Sequence, residues 1–278
     1  MAVLKSMPAL VVGPAELRAH GETWQRAGGR LDTKASIALG GVFNTVIGRA
    51  LATMLGDIPT VSGRLNRLSP YVPGAKAGTG SPKDPDCVEL GSVLVVGGVR
   101  PQYFDVGYRP DGIRFAADVK TLNDTDSVGK NYANMINDLT AEATTVHMRF
   151  PHAVVAFLVA IPKPSLKEPQ VSALIRRLEG LGRREDVDGA PQLAEVISFV
   201  VWEPSTGEVD AGIPPKESSL RVERFSERVE RIYVARYEGS QPHLQKGARV
   251  AVAATESGEV AEVEADDDDA GETPAPAN

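Results

Sequence analysis

The amino-acid order predicts an α/β domain with helices packed around a central mixed sheet, and three observations carry that expectation. The hydrophobic period changes near residue 87 from helical to alternating. "RPDG", residues 109–112, places Pro, Asp and Gly where a tight turn between two strands wants them. Beyond residue 125 the pattern alternates helix, strand, helix, strand, as parallel pairing requires.

Taken in order, "SIALGGVFNTVIGRALATML", residues 36–55, sets Ile37, Leu39, Val42, Phe43, Val46, Ile47, Leu51, Met54 and Leu55 at helical spacing and predicts a core helix. A long Pro-, Gly-, Ser- and Lys-rich loop follows, "LSPYVPGAKAGTGSPKDPD". "CVELGSVLVVGG", "QYFDVGY" and "IRFAADVKTL" read as three antiparallel strands. "TDSVGKNYANMINDLTAEATTVHMRF" opens on an Asp/Ser start signal and keeps Tyr132, Met135, Ile136, Leu139, Ala143 and Val146 on one stripe. "HAVVAFLVAIP" is apolar throughout, as a strand covered on both faces should be. A helix at 168–183, a strand "EVISFVVWEP" and a last amphipathic helix over 218–238 complete the chain. The expected organisation is one domain over 1–245, with a helical part at 1–70 and a core at 86–205, and then an acidic, disordered tail over 246–278.

Composition narrows the function. The single cysteine, Cys87, excludes an internal disulfide, and four scattered histidines give no zinc-ligand spacing. The apolar run "AVVAFLVAI" is less than half the roughly 20 residues a bilayer-crossing helix needs, and the first residues lack a secretory cleavage pattern, so the expected compartment is the cytoplasm. The formal charge is −7, yet residues 255–278 carry nine acids and no base, which leaves +2 for the remainder. That balance is compatible with a nucleic-acid partner.

The stretch "YFDVGYRPDGIRFAADVKTL", residues 103–122, holds the chemistry. If an even-numbered loop closes the hairpin, facing residues sum to 221. Tyr103, Asp105 and Gly107 then share one side with Arg114, Ala116, Asp118 and Lys120. The other side is Phe104, Val106, Tyr108, Ile113, Phe115, Ala117 and Val119, an apolar set. This register makes Asp105 and Asp118 diagonal neighbours, about 5 to 8 Å apart. Asp111 lies in the turn, too far along to join them. Two facing carboxylates repel unless a cation lies between them, and Mg²⁺, a hard ion, suits two aspartates plus a backbone carbonyl, here that of Val119. Lys120, on the same face, is placed to hold or deprotonate an attacking water and to offset phosphate charge. The set suits phosphodiester hydrolysis.

Asp105 with the tripeptide "DVK", Asp118 to Lys120, resembles the PD-(D/E)XK nuclease superfamily, and "SVGKNYAN" is similar to a segment of some type II restriction endonucleases. Asp105 follows Phe104 rather than a proline, and the tripeptide begins with Asp rather than the commoner Glu. The resemblance implies a restriction-endonuclease-like three-layer sandwich and a Mg²⁺-dependent endodeoxyribonuclease that cuts double-stranded DNA as a homodimer. A repair or recombination nuclease of the same fold and a non-catalytic DNA-binding protein are the alternatives. Supporting candidates are Glu89, as a further acid, and Lys130, Asn131 and Asn134, as phosphate contacts or braces for Lys120. Ordinary surface polarity accounts for these four almost as well. Glu16 and Glu22 read as a solvated helix, and His147 and His152 as structural. Arg64, Arg67, Lys76 and Lys83 in or beside the long loop are basic side chains suited to DNA or to solubility.

Overall fold

The computed structural model describes residues 3–67, 81–126 and 128–240. The expected acidic tail and Lys76 lie outside the described residues. The described residues form a six-stranded mixed sheet whose spatial order follows the sequence: β1 (Thr60–Ser62), β2 (Val88–Val96), β3 (Pro101–Tyr108), β4 (Phe115–Thr121), β5 (Val154–Pro162) and β6 (Val196–Trp202). The β2–β3 and β3–β4 pairs are antiparallel, as expected from the hairpins, and β1–β2, β4–β5 and β5–β6 are parallel. The sequence reading lacked β1, because three residues are too few to show a period.

Five helices accompany the sheet: α1 (Pro14–Arg26), α2 (Thr33–Met54), α3 (Val128–His147), α4 (Glu168–Leu181) and α5 (Phe225–Tyr237). Helix starts follow local chemistry. The Asp32 side chain accepts the Ala35 N–H at the head of α2, and proline stands at the start of α1 and α4, where no N–H is missed. α2 is long and apolar enough by length and composition to cross a membrane, but half of its apolar window is buried. Leu39, Phe43, Ile47 and Leu51 pack it on the sheet.

Two apolar clusters lie on the two faces of the sheet. On one, Val106, Phe115, Ala117, Val154 and Leu158 meet residues of α1, α2 and α5. On the other, Val93, Phe104, Ala116, Val155 and Phe157 meet α3 and α4. The β4–α3–β5 and β5–α4–β6 crossovers step in the same direction, so a common handedness puts α3 and α4 on one face. Every residue of β5 and β6 is buried, the reason both read as unbroken apolar runs. The last helix starts later than its expected 218. Leu220 belongs to the α3-side cluster and Phe225 to the other, so residues 218–224 must carry the chain around the sheet edge. The Ser218 hydroxyl donates to Glu179, and Phe199 N–H donates to the Leu220 carbonyl.

At the amino ends of β5 and β6, Glu195 is fully enclosed. It accepts from Arg184 (2.5 Å), Arg236 (2.9 Å), His147 (3.2 Å) and Val155 N–H (2.8 Å). The other His147 nitrogen lies 2.9 Å from the Pro191 carbonyl.

Candidate active site at the β3–β4 fork

The register of the central hairpin is Val106↔Ala117, Gly107↔Ala116 and Tyr108↔Phe115, so facing residues sum to 223 rather than the expected 221. The loop, residues 109–114, is longer than a tight turn, and its arginines are paired. Arg109 pairs with Glu89, and Arg114 pairs with Asp111 and lies over the Tyr237 ring. A shift of two does not by itself change the face a residue takes. Extended by one pair, this register sets Asp105 level with Asp118 rather than diagonal to it.

The backbone ladder ends at Val106–Ala117, and beyond it the strands fork. The Asp105 carboxylate fills the fork. Its Oδ2 accepts the Val119 N–H at 3.0 Å, standing in for the backbone acceptor that β3 no longer supplies. The Val119 carbonyl lies on the same side of β4 as its N–H, facing that fork. The Asp118 charge also bears on Asp105.

The face assignment of β3 needs one correction. Phe104 belongs to the α3-side cluster, and a Cβ on Gly107 would meet Val93 and Ile113 of that same cluster. Residues three apart cannot share a face under strict alternation, so the strand slips once between them. Opposite this slip, β2 sets two residues, Gly91 and Ser92, against the single Asp105, and both have positive φ (67° and 52°). This is a β-bulge, a device that re-aims side chains. Tyr103 is thereby left on the other side, 52% exposed, with Arg67 donating to its hydroxyl. Phe104 and Ile113 are likewise on the opposite face from the one their spacing suggested.

Lys120, one residue short of the end of β4, touches Asp118 and lies 2.8 Å from Glu142 Oε1. Glu142 comes from α3 and is 4% exposed. Gln102 Nε2 donates to the same Oε1 at 3.2 Å, while Glu142 Oε2 has no hydrogen-bond partner among the described residues. Neither Glu142 nor Gln102 was singled out from sequence. The signal was there for Glu142: it interrupts the stripe Met135, Leu139, Ala143, Val146 that packs α3 on the sheet, and an acid at a core position needs a partner.

Three carboxylates and one ammonium share this site, and their proton affinities record the imbalance. Burial, then the Asp118 charge, pushes the Asp105 carboxyl up to about 7, and burial raises Asp118 to about 6 against the pull of Lys120. Burial likewise raises Glu142. Burial opposes the charge on Lys120, but Asp118 and Glu142 overcome it and raise its pKa. So held, Lys120 is charged at neutral pH, and it can act through charge and N–H donation rather than by taking a proton. With both carboxyls raised, Asp105 and Asp118 hold their protons more readily than ordinary aspartates do.

A cation would relieve that crowding, and the donor set fits a hard one: two carboxylates, the Val119 carbonyl beside them and water. Among the described residues, no group of three or more His, Cys, Asp or Glu side chains is placed to hold a metal ion.

The other expected residues divide. Asn131 and Asn134 line a cleft of about 310 Å³ with Val119, Lys120, Thr121 and Asp138. Lys130 is exposed and lies outside that lining. Glu89 is buried in a two-pronged pair with Arg109 (2.5 and 2.6 Å), a reason to count it with the framework instead of the site. Glu16 and Glu22 are exposed on α1, and His152 is exposed with its carbonyl accepting from Tyr237. Arg64 and Lys83 are exposed.

Comparison of the chain with protein-family models, with curated proteins and with solved structures returned no match in any of the three.

Proposed function

We propose that the chain is a Mg²⁺-dependent endodeoxyribonuclease that hydrolyses phosphodiester bonds in double-stranded DNA, acting in the cytoplasm as a type II restriction endonuclease of the PD-(D/E)XK kind. The observation that carries this reading is the convergence of Asp105, Asp118 and Lys120 where β3 and β4 fork. Such an arrangement is poorly explained as framework, since it concentrates negative charge in a buried place. The sheet order and the helices on both faces are compatible with a restriction-endonuclease-like sandwich.

Asp105, Asp118 and the Val119 carbonyl are the groups that would hold Mg²⁺. When bound, the ion supplies positive charge that polarises the scissile phosphate. Lys120 donates N–H bonds to a phosphate oxygen and to the attacking water, fixing the line of approach. The new bond forms from water oxygen to phosphorus as the bond to the leaving sugar oxygen breaks; solvent takes the proton of the attacking water and gives one to the leaving oxygen. Asn131 and Asn134, beside Lys120, present amides suited to the flanking phosphates. Two copies related by a two-fold axis would serve the two strands of a duplex.

The test is direct. Purified full chain incubated with phage and plasmid DNA and Mg²⁺ is expected to give discrete fragments, and Lys120→Ala to lose them by about 10³-fold. Folded protein that cuts nothing under any divalent cation overturns the reading.

A further inference from the structure

Glu142 is the residue of the site that the resemblance did not supply, and its surroundings define a task. The Lys120 ammonium sits against Asp118, the carboxylate that a cation would need. It therefore competes with any cation for that group. Glu142 gives the ammonium a second anion, at 2.8 Å. Gln102 fixes the accepting oxygen from the other side, and burial in the α3 interface keeps the carboxylate from moving to solvent.

Resting on the nuclease reading, we propose that Glu142 is a positioning residue: it takes over the Lys120 ammonium so that Asp118 is free for the cation, while the ammonium stays beside the phosphate position. The consequence is unusual for a residue that is not itself a ligand. Removing its charge should weaken metal binding, because Lys120 is then left with Asp118 as its one carboxylate among the two it touches. That effect must travel through Lys120.

The experiment is calorimetric titration of the full chain with Mn²⁺ and with Mg²⁺, without DNA, on wild type, Glu142→Gln, Lys120→Met and the double variant. Glu142→Gln is expected to weaken Mn²⁺ binding about tenfold, a loss typical of groups that orient ligands. Lys120→Met is expected to bind at least as tightly as wild type, and adding Glu142→Gln to it to change affinity by no more than about twofold. Melting curves on the same samples establish that each variant is folded, and the equally uncharged Glu142→Met replaces Glu142→Gln if the latter is not.

Two results overturn the proposal while leaving the nuclease reading standing. One is unchanged metal affinity in folded Glu142→Gln. The other is an equal loss with and without Lys120, which would make Glu142 a ligand. Wild type that takes up neither cation would instead remove the metal reading, and this proposal with it.

Discussion

Glu195 and Asp118 are both buried carboxylates of the central sheet, yet their surroundings differ in kind. Around Glu195, two arginines, a histidine and a backbone N–H converge on one carboxylate. Burial alone would raise its pKa, but His147, Arg236 and the Val155 N–H bring it below the usual carboxylate range. Around Asp118 the ratio is reversed: Asp105, Asp118 and Glu142 share the single ammonium of Lys120, and all three acids are raised. The Glu195 cluster ties α3, α5 and two strands together with its acid satisfied. The Asp118 cluster is left wanting positive charge. A fold tolerates the second arrangement where function requires it.

The sharpest way to break this contrast is to exchange the consequences. Asp118→Asn should reduce DNA cleavage by about 10³-fold while leaving the melting temperature close to wild type or higher. Glu195→Gln should do the opposite, costing about 3–5 kcal/mol because Arg184 and Arg236 lose their buried counter-charge. Differential scanning calorimetry and a cleavage assay on the same two preparations check both. A large loss of stability in Asp118→Asn would mean the two clusters are alike.

The pH dependence follows with smaller effect. Asp105 and Asp118 have folded-state pKa values of about 7 and about 6 against 3.8 for an unperturbed aspartate. Raised acids bind protons more readily folded than unfolded, so their contribution is fully present below pH 3.8 and is lost as pH rises through 6 and 7. Metal-free wild type should therefore lose about 5 °C between pH 5 and pH 8 relative to Asp105→Asn, which keeps an oxygen for the Val119 N–H. Mg²⁺ should restore most of that difference at pH 8. A pH-independent gap between the two proteins would show that the pair does not carry the charge described.

The smallest effect separates site from framework within one strand pair. Glu89→Gln should lower stability by about 1–3 kcal/mol through its Arg109 contact, with Mn²⁺ affinity unchanged. A fall in affinity comparable to that of Asp105→Asn would return Glu89 to the site.

Much of this arrangement was legible before any coordinates. The change of period near residue 87 located the antiparallel strands, and parity placed Asp105, Asp118 and Lys120 on one side even though the register differed by two. What the residues concealed was tertiary. The arginines of the longer hairpin loop, Arg109 and Arg114, meet Glu89, Asp111 and Tyr237, partners on other elements or across the loop. Glu142 acquires meaning from Lys120, which lies on another element. The slip at Phe104 depends on Gly91 and Ser92 in the neighbouring strand, and no pattern within β3 announces it.

That bulge leaves the proposed activity exposed to change at an unremarkable address. Ser92 is a solvent-facing residue with φ 52°, a conformation that β-branched side chains resist. Ser92→Val alters no acid, base or groove contact, yet it would press β2 toward regular pairing and rotate residue 105 away from its partner. Inherited variation of this sort would look neutral on inspection and silence the molecule all the same.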